Sequence, residues 1–417
     1  MVHFRIHCFS LLLLVALAAL VACSELNGEP PVFDGLHYPV SVAVTPDGGH
    51  LLVANSNFDL GKRYGSVVVV DLTTRKFLPS RAVSVGAFPG ALTLGSSDAE
   101  DHPIAGYLPV REDDSLTWFK MVWAEDAPTL RCDDPNRSYQ DRRCSGLYVV
   151  TEGLDDEGDD TSVGNDPYSS VYLPGRIGEP DFLVVGSLRS GSLDLFTIAE
   201  DGAPTLTDRL FLTQGINDLA IHEPSRTIFA TAKYSAIVLR VTIETDESGS
   251  ALTSQSPLSL PLATSSSDIG RSLAFTADGS RLLVAWRAPD ALVVYDTTSQ
   301  GSAESDVSLL GLIPMGADPA HLRIFPSGPD GSDRAYVISM TNNSLYVVDP
   351  ASLGVDARIR LGPSSQTPDL TGISPFSIAW SPVTKEAYVA NFLGHSVSVV
   401  DLDPSSATYH TVIEEIR

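Results

Sequence analysis

One phrase recurs along this chain and constrains its fold more than any other feature. Near the start, Leu51-Leu52-Val53-Ala54-Asn55, a polar spacer and Val67-Val68-Val69-Val70-Asp71-Leu72 follow one another. Near the end they are restated as Ala387-Tyr388-Val389-Ala390-Asn391 and Val397-Ser398-Val399-Val400-Asp401-Leu402. Two β-branched apolar runs flanking a polar turn read as a β-hairpin. A hairpin repeated over hundreds of residues buries its faces only if its copies pack on one another.

Counting supports the repetition. Ten residues separate Asn391 from Asp401, Ser339 from Asp349 and Trp286 from Asp296, in segments reading Ala335-Tyr336-Val337-Ile338 and Leu282-Leu283-Val284-Ala285. In the first copy the separation from Asn55 to Asp71 is sixteen, so its loop carries an insertion at 57–65, which a surface loop absorbs at small entropic cost. A short leading strand precedes the hairpins at 41–44, 91–94, 218–221, 272–275, 321–324 and 377–380, with a seventh placed at 147–150. Turns such as Thr45-Pro46-Asp47-Gly48 and Thr276-Ala277-Asp278-Gly279 leave these strands. A fourth apolar strand, as at 358–361, completes units spaced by roughly fifty residues. Four-stranded antiparallel units at this spacing predict an all-β chain, a seven-bladed β-propeller occupying 38–417 as one domain.

Tyr388-Val389-Ala390-Asn391 with Val399-Val400-Asp401-Leu402 resembles the YVTN-type repeat of seven-bladed propellers in bacterial secreted and surface proteins, a group related to the NHL and lactonase-like propellers. The match is strongest in the first and last units. It weakens from 95 to 245, where Val110 and Gly186 stand at the asparagine position. The resemblance implies architecture and leaves function open. One reading is a non-catalytic binding or scaffolding protein; another is an envelope component with no small ligand. The third is a lactonase-like enzyme with a channel metal, to which Asn217, Asp218 and His321 would contribute.

The start of the chain addresses it for export. Residues 1–7 carry Arg5, 9–22 are apolar apart from Ser10, and the run closes on Leu20-Val21-Ala22-Cys23. Such a run is too short for a permanent span, and small residues before the cysteine suit a processing site. Leu-Val-Ala-Cys resembles the bacterial lipobox, which implies cleavage before Cys23 and acylation of its thiol. On that reading 1–22 is a lipoprotein signal peptide, and 23–37, with Pro30-Pro31, is the lipidated N-terminus and tether. The protein is then held in the bacterial cell envelope through lipid. Ser24 after the cysteine favours the outer membrane over the inner. An ordinary secretory signal with a chance cysteine is the alternative. Export leaves Cys132 and Cys144 as a pair around a hydrophilic loop, expected to form a disulfide in an oxidising compartment. A two-cysteine metal site is the competing reading, with no histidine near to complete it.

The formal net charge of −25 argues against nucleic-acid partners and against attraction to anionic membrane surfaces. The expected partners are therefore the membrane through the lipid and a protein, peptide or glycan, the chain itself being monomeric. Within the run Asp155-Asp156-Glu157-Gly158-Asp159-Asp160, the carboxylates of Asp155, Asp156, Asp159 and Asp160 are of the type calcium takes, although their spacing is not that of an EF-hand. A solvated acidic insertion is the other reading, and calcium is the only cofactor suggested. No zinc-helix motif, nucleophile elbow or phosphate loop occurs in the exported part, so no catalytic residue is assigned. One constellation remains. Arg111, Arg189 and Arg287 fall at the ends of second strands and Arg271 on a first strand, with His321 and Ser377 at corresponding positions. Converging on one channel mouth, they would make an anion site. The alternative is local pairing with Glu112, Asp113 or Asp290.

Overall fold

The computed structural model describes residues 28–98, 102–124, 127–133, 142–151, 163–212, 215–233, 235–246, 249–259, 269–287, 289–299, 307–362 and 373–417. These build seven antiparallel sheets, each from a contiguous stretch of chain. The first, innermost strands of blades 1 to 7 are Pro39–Val44, Thr93–Leu94, Pro167–Leu173, Ile216–His222, Ile269–Phe275, Pro319–Phe325 and Pro375–Ser381. Contacts between these strands run from blade 2 to blade 7 and join blade 7 to blade 1, and a hydrogen bond between Ser41 and Leu92 links blade 1 to blade 2, so the seven-bladed ring is closed.

The repeated apolar runs are the middle strands, and they are apolar throughout because both of their faces are covered. Successive strand residues point to opposite sides. In His50–Asn55, Leu51 and Val53 pack on Tyr388 and Val397 of blade 7. Leu52 and Ala54 pack on Leu108 and Phe119 of blade 2. The same division recurs at the next junction, where Tyr107 and Leu116 of blade 2 meet Leu183 and Phe196 of blade 3.

The polar letters of the repeat make local hydrogen bonds. Asp71 Oδ1 accepts the Thr73 and Thr74 N–H groups at 2.8 and 2.9 Å, and Asp296 and Asp401 accept those of Thr298 and Asp403 at 2.9 Å. Each aspartate thereby closes the turn after the third strand. Asn55 Oδ1 accepts the His37 N–H at 3.0 Å while its Nδ2 donates to Ser66 Oγ at 3.0 Å, tying the incoming chain to the hairpin. In the turns after the first strands, Gly48 and Gly279 have φ of 73° and 69°, which glycine adopts without a Cβ penalty.

Neighbouring inner strands are latched by one side chain. Ser41 Oγ accepts the N–H of Leu92 in blade 2 at 2.9 Å, Ser272 Oγ that of Leu322 in blade 6 at 3.1 Å, and Ser377 Oγ that of Val42 in blade 1 at 3.4 Å. The ring closes on this last latch. It is reinforced by Ser381 Oγ donating to the Gly48 carbonyl at 2.9 Å, and by Arg75 bridging Glu386 at 2.6 Å and Glu414 at 3.0 Å.

Three sequence expectations change. The segment placed as a seventh leading strand at 147–150 contains Val149–Val150, which pairs with the third strand of blade 2, Ser115–Ala124. The leading strand of blade 3 is instead Pro167–Leu173, whose Tyr-Ser-Ser-Val-Tyr core lacks a clean apolar run. The outermost strand of blade 2 is split into Ala127–Arg131 and Val149–Val150, and that of blade 1 into Lys76–Phe77 and Val83–Val85. The expected tether at 23–37 is, over its described residues, part of the domain. Leu36 is buried against blade 1, Ser66 Oγ donates to the Val32 carbonyl at 2.6 Å, Arg142 lies over the Phe33 ring, and Glu29 pairs with Lys62. Phe33 and Leu36 supply the apolar contacts that a reading of Pro30-Pro31 as linker leaves out. Cys132 and Cys144 are joined as a disulfide, buried in the apolar cluster between blades 1 and 2.

Two measurements test these contacts. Ser41→Ala and Ser377→Ala each leave a buried N–H unpaired and should lower stability by about 1–2 kcal/mol in denaturant titration; no change would remove the latches from the account. Hydrogen bonds from the Ser280 and Thr298 N–H groups hold the Asp278 and Asp296 carboxyls below their ordinary value. Groups depressed in the folded state stabilise it above their unfolded pKa, and that contribution is lost as pH falls through the folded one. Tm should therefore drop below about pH 4, with a shallower drop in Asp296→Asn.

Candidate functional site

In every blade the loop after the second strand and the segment leading into the first open on the same end of the ring. Five blades enter through a residue before proline: Tyr38, Phe88, Asp166, Asp318 and Ser374, all with φ between 49° and 60°. Side chains rarely occupy this left-handed region, and here hydrogen bonding sustains it. Each carbonyl receives the N–H of the residue one past the second strand: Ser56, Arg111, Leu188, Met340 and Phe392, at 2.8 to 3.2 Å. Lys233 donates likewise to Gly215 at 2.6 Å. This shared register decides which side chains crown the channel.

The channel is a cavity of about 670 Å³. Among the described residues its lining includes Arg111, Lys233, Arg271 and Arg323, against the single carboxylate of Asp218. Arg111 forms an ion pair with Asp166 of the next blade and lies 5.7 Å from the Tyr168 ring centroid. Burial pushes the Tyr168 phenol up, so it stays a neutral donor, and the Arg271 and Arg111 charges oppose that shift. Arg323 Nη1 donates to the Leu322 carbonyl at 2.8 Å and lies 3.6 Å from Asp218. The Arg271 guanidinium makes no hydrogen bond or ion pair among the described residues. His321 sits in the wall with a shielded Nδ1 that has no partner among the described residues. Burial first, and then the Arg323 charge, drive its basicity well below the ordinary histidine value, so the ring is neutral at physiological pH.

Of the expected anion site, the structure brings Arg111, Arg271, His321 and Ser377 to the channel wall and leaves Arg189 and Arg287 outside it. Ser377 is occupied there as the ring-closing latch. Arg287 is half exposed, its Nε 3.5 Å from Asp318 of blade 6. Arg189 is exposed because the second strand of blade 3 ends at Ser187. The asparagine position is thus Ser187 and not Gly186, Leu188 takes the lining place, and a one-residue slip turns Arg189 away. Local pairing does occur, with other acids than those expected. Arg111 and Arg287 meet Asp166 and Asp318 across the blade junctions. Glu112 accepts the Ala87 N–H at 2.7 Å, Asp113 the Ser115 hydroxyl at 2.6 Å, and Asp290 the Asp318 N–H at 3.1 Å. Sequence reasoning missed Lys233, Arg323 and Tyr168. Lys233 was legible, since it stands one past a second strand as Arg111 does.

The residues suggested for a lactonase-like channel metal do not fit one. Asp218 Oδ1 accepts the Leu219 N–H at 3.0 Å, and Oδ2 accepts the Ser272 hydroxyl at 2.5 Å and the Leu273 N–H at 3.3 Å. Asn217 Nδ2 donates to the Gly270 carbonyl at 2.7 Å. A lone carboxylate spent on latching blades 4 and 5, with a guanidinium beside it, is no cage for a cation. Among the described residues no three metal-ligating side chains cluster. Cys23, Asp155, Asp156, Asp159 and Asp160 lie outside the described residues.

Fold and channel together define a seven-bladed β-propeller. No protein-family model matches the sequence, and no curated protein matches it. Solved structures match over most of the chain. A hydrazine synthase chain from Kuenenia stuttgartiensis is 16% identical with a TM-score of 0.59, over 90% of this chain and 98% of that one. A protein from Lactobacillus plantarum is 16% identical with a TM-score of 0.57, covering 78% and 86%. A 6-phosphogluconolactonase-like protein from Bacteroides uniformis is 12% identical with a TM-score of 0.54, covering 76% and 82%. At these identities the likeness is one of fold.

Asp218→Ala should lower stability by about 2 kcal/mol, since it strips partners from buried donors on two blades. Arg287→Ala, removing an exposed ion pair, should stay within about 0.5 kcal/mol of wild type. Equal effects in denaturant titration would contradict the division between latch and rim.

Proposed function

We propose that this protein is a lipid-anchored propeller of the bacterial cell envelope, a non-catalytic binding or scaffolding protein that receives an anionic group of a protein, peptide or glycan partner at its channel mouth. The observation that carries this reading is the channel's charge. Among the described lining residues Arg111, which also pairs with Asp166 at the rim, Lys233, Arg271 and Arg323 face one cavity with Asp218 alone of opposite sign, in a chain of net charge −25. A concave, partly shielded site of that sign focuses field on an incoming carboxylate or phosphate. The Leu20-Val21-Ala22-Cys23 sequence supports the anchor, and the disulfide accords with an oxidising compartment.

Titration calorimetry with citrate and with inorganic phosphate tests the site. Wild type should bind one of them with an affinity that falls as salt rises, and Arg271→Gln should weaken it about tenfold. Binding unchanged in that variant, or absent altogether, rejects the channel as an anion site. Labelled palmitate should be incorporated by wild type and not by Cys23→Ser; an unlabelled wild-type protein rejects the anchor.

A further inference from the structure

We infer that the insertion loop of blade 1, together with the adjoining loop of blade 7, is a membrane-facing surface whose apolar side chains enter the lipid headgroup region. This rests on the proposed acylation of Cys23, and adds how the propeller sits against the bilayer.

Geometry supplies the first support. The described chain starts at Gly28, and Glu29 is pinned to the insertion loop: its N–H donates to the Gly61 carbonyl at 3.1 Å, its carbonyl accepts the Arg63 N–H at 2.8 Å, and its carboxylate pairs with Lys62. Five residue steps separate Cys23 from Gly28, and a fully extended chain spans at most about 3.6 Å per residue. A lipid on Cys23 therefore holds Gly28, the neighbour of the pinned Glu29, within about 18 Å of the bilayer surface, whatever path the intervening residues take.

The loop is also built to present apolar groups outward. Phe58 and Leu60 are 52% and 57% exposed, and Leu393 in the blade 7 loop is 44% exposed. Phe58 packs edge-on against Phe392, ring centroids 5.0 Å apart, which joins the two loops into one patch. Of the polar groups between them, Asn57 is turned inward while Asp59 stays exposed at the rim of the patch. The Asn57 carboxamide clamps the loop from within, accepting the Lys62 N–H at 2.9 Å and donating to its carbonyl at 2.8 Å. Asp59 accepts the Gly61 N–H at 3.1 Å and lies 3.0 Å from His37 Nε2. Leu60 is held in the left-handed region, with φ of 54°. A loop that buries its asparagine while it holds a phenylalanine and a strained leucine outward reverses, at those positions, the arrangement favoured in water. Aromatic and leucine side chains at this level favour the boundary between headgroups and acyl chains.

The test uses the full, acylated chain reconstituted into vesicles of phosphatidylethanolamine with a minority of phosphatidylglycerol, the acyl chains brominated to quench tryptophan at the membrane. Phe58→Trp places a reporter on the patch. Val383→Trp, at a site 68% exposed in the first turn of blade 7, places one at the opposite end of the ring. After subtraction of wild-type emission, the tryptophan at 58 should lose intensity and shift to the blue while that at 383 does neither. Protein that stays with the vesicles while both reporters remain unquenched overturns this inference and leaves the anchor standing. Protein that fails to stay with the vesicles removes the anchor and the inference with it. A blue shift at 58 that needs no vesicles and follows protein concentration assigns the patch to a second copy of the chain and likewise overturns the inference.

Discussion

Burial of both faces of every middle strand is the constraint from which the rest of this structure follows. A sheet apolar on one side is satisfied by one neighbour; a sheet apolar on both needs two. Leu51 and Val53 look to blade 7 while Leu52 and Ala54 look to blade 2. A row of such sheets would leave a bare apolar face at each end, and closing it into a ring removes both. Blade 1 therefore has to meet blade 7. It does so without exchanging a strand, since the outermost strand of blade 7, Val412–Ile416, comes from the same stretch of chain as its neighbours.

Once the ring exists, its inner edge brings a backbone problem and its solution. Inner strands have a free edge towards the channel, and their N–H groups are met by side chains of the preceding blade. Serine does this at Ser41, Ser272 and Ser377, and Asp218 does it between blades 4 and 5. At the equivalent register blades 3 and 6 carry Ser169 and His321, whose Oγ and Nδ1 have no partner among the described residues. The Leu219 N–H, the counterpart of the group Ser41 receives in blade 2, is taken by Asp218 of its own blade. The lining is thus a structural belt first, and its spare polar atoms are what remains for a ligand.

The channel's charge comes from the same register. The residue one past the second strand is drawn over the mouth by its backbone hydrogen bond to the chain entering the blade. Where that residue is Arg111 or Lys233, a cation lines the cavity. At Leu188 the place is apolar, and in blade 5 Arg287, the last residue of the second strand Arg281–Arg287, swings its side chain out to Asp318. An acidic protein can hold a basic pocket because a few positions are sorted by backbone geometry while the bulk of the carboxylates stay solvated.

The ring was legible in the primary structure because it rests on period and spacing: the Asn-to-Asp interval, the apolar middle strands and the turn residues after each first strand are local patterns that survive wherever the neighbours lie. Blade 3 was the exception. Pro167–Leu173 has too little alternation to announce a strand, and the true asparagine-equivalent, Ser187, sits one residue past the position counted from Gly186. That single residue misplaced Arg189. The Cys132 and Cys144 pair was readable from the isolated pair of thiols and the export that the start of the chain suggests, whereas the attachment of residues 28–37 to blade 1 was not, since it depends on Phe33 and Leu36 finding partners brought from elsewhere in the chain. Local order thus determined the blades. Only the tertiary structure decided which arginines share a cavity, which acids neutralise them and where the chain leaves the ring, because those depend on contacts across blade junctions, between residues that no spacing along the chain relates.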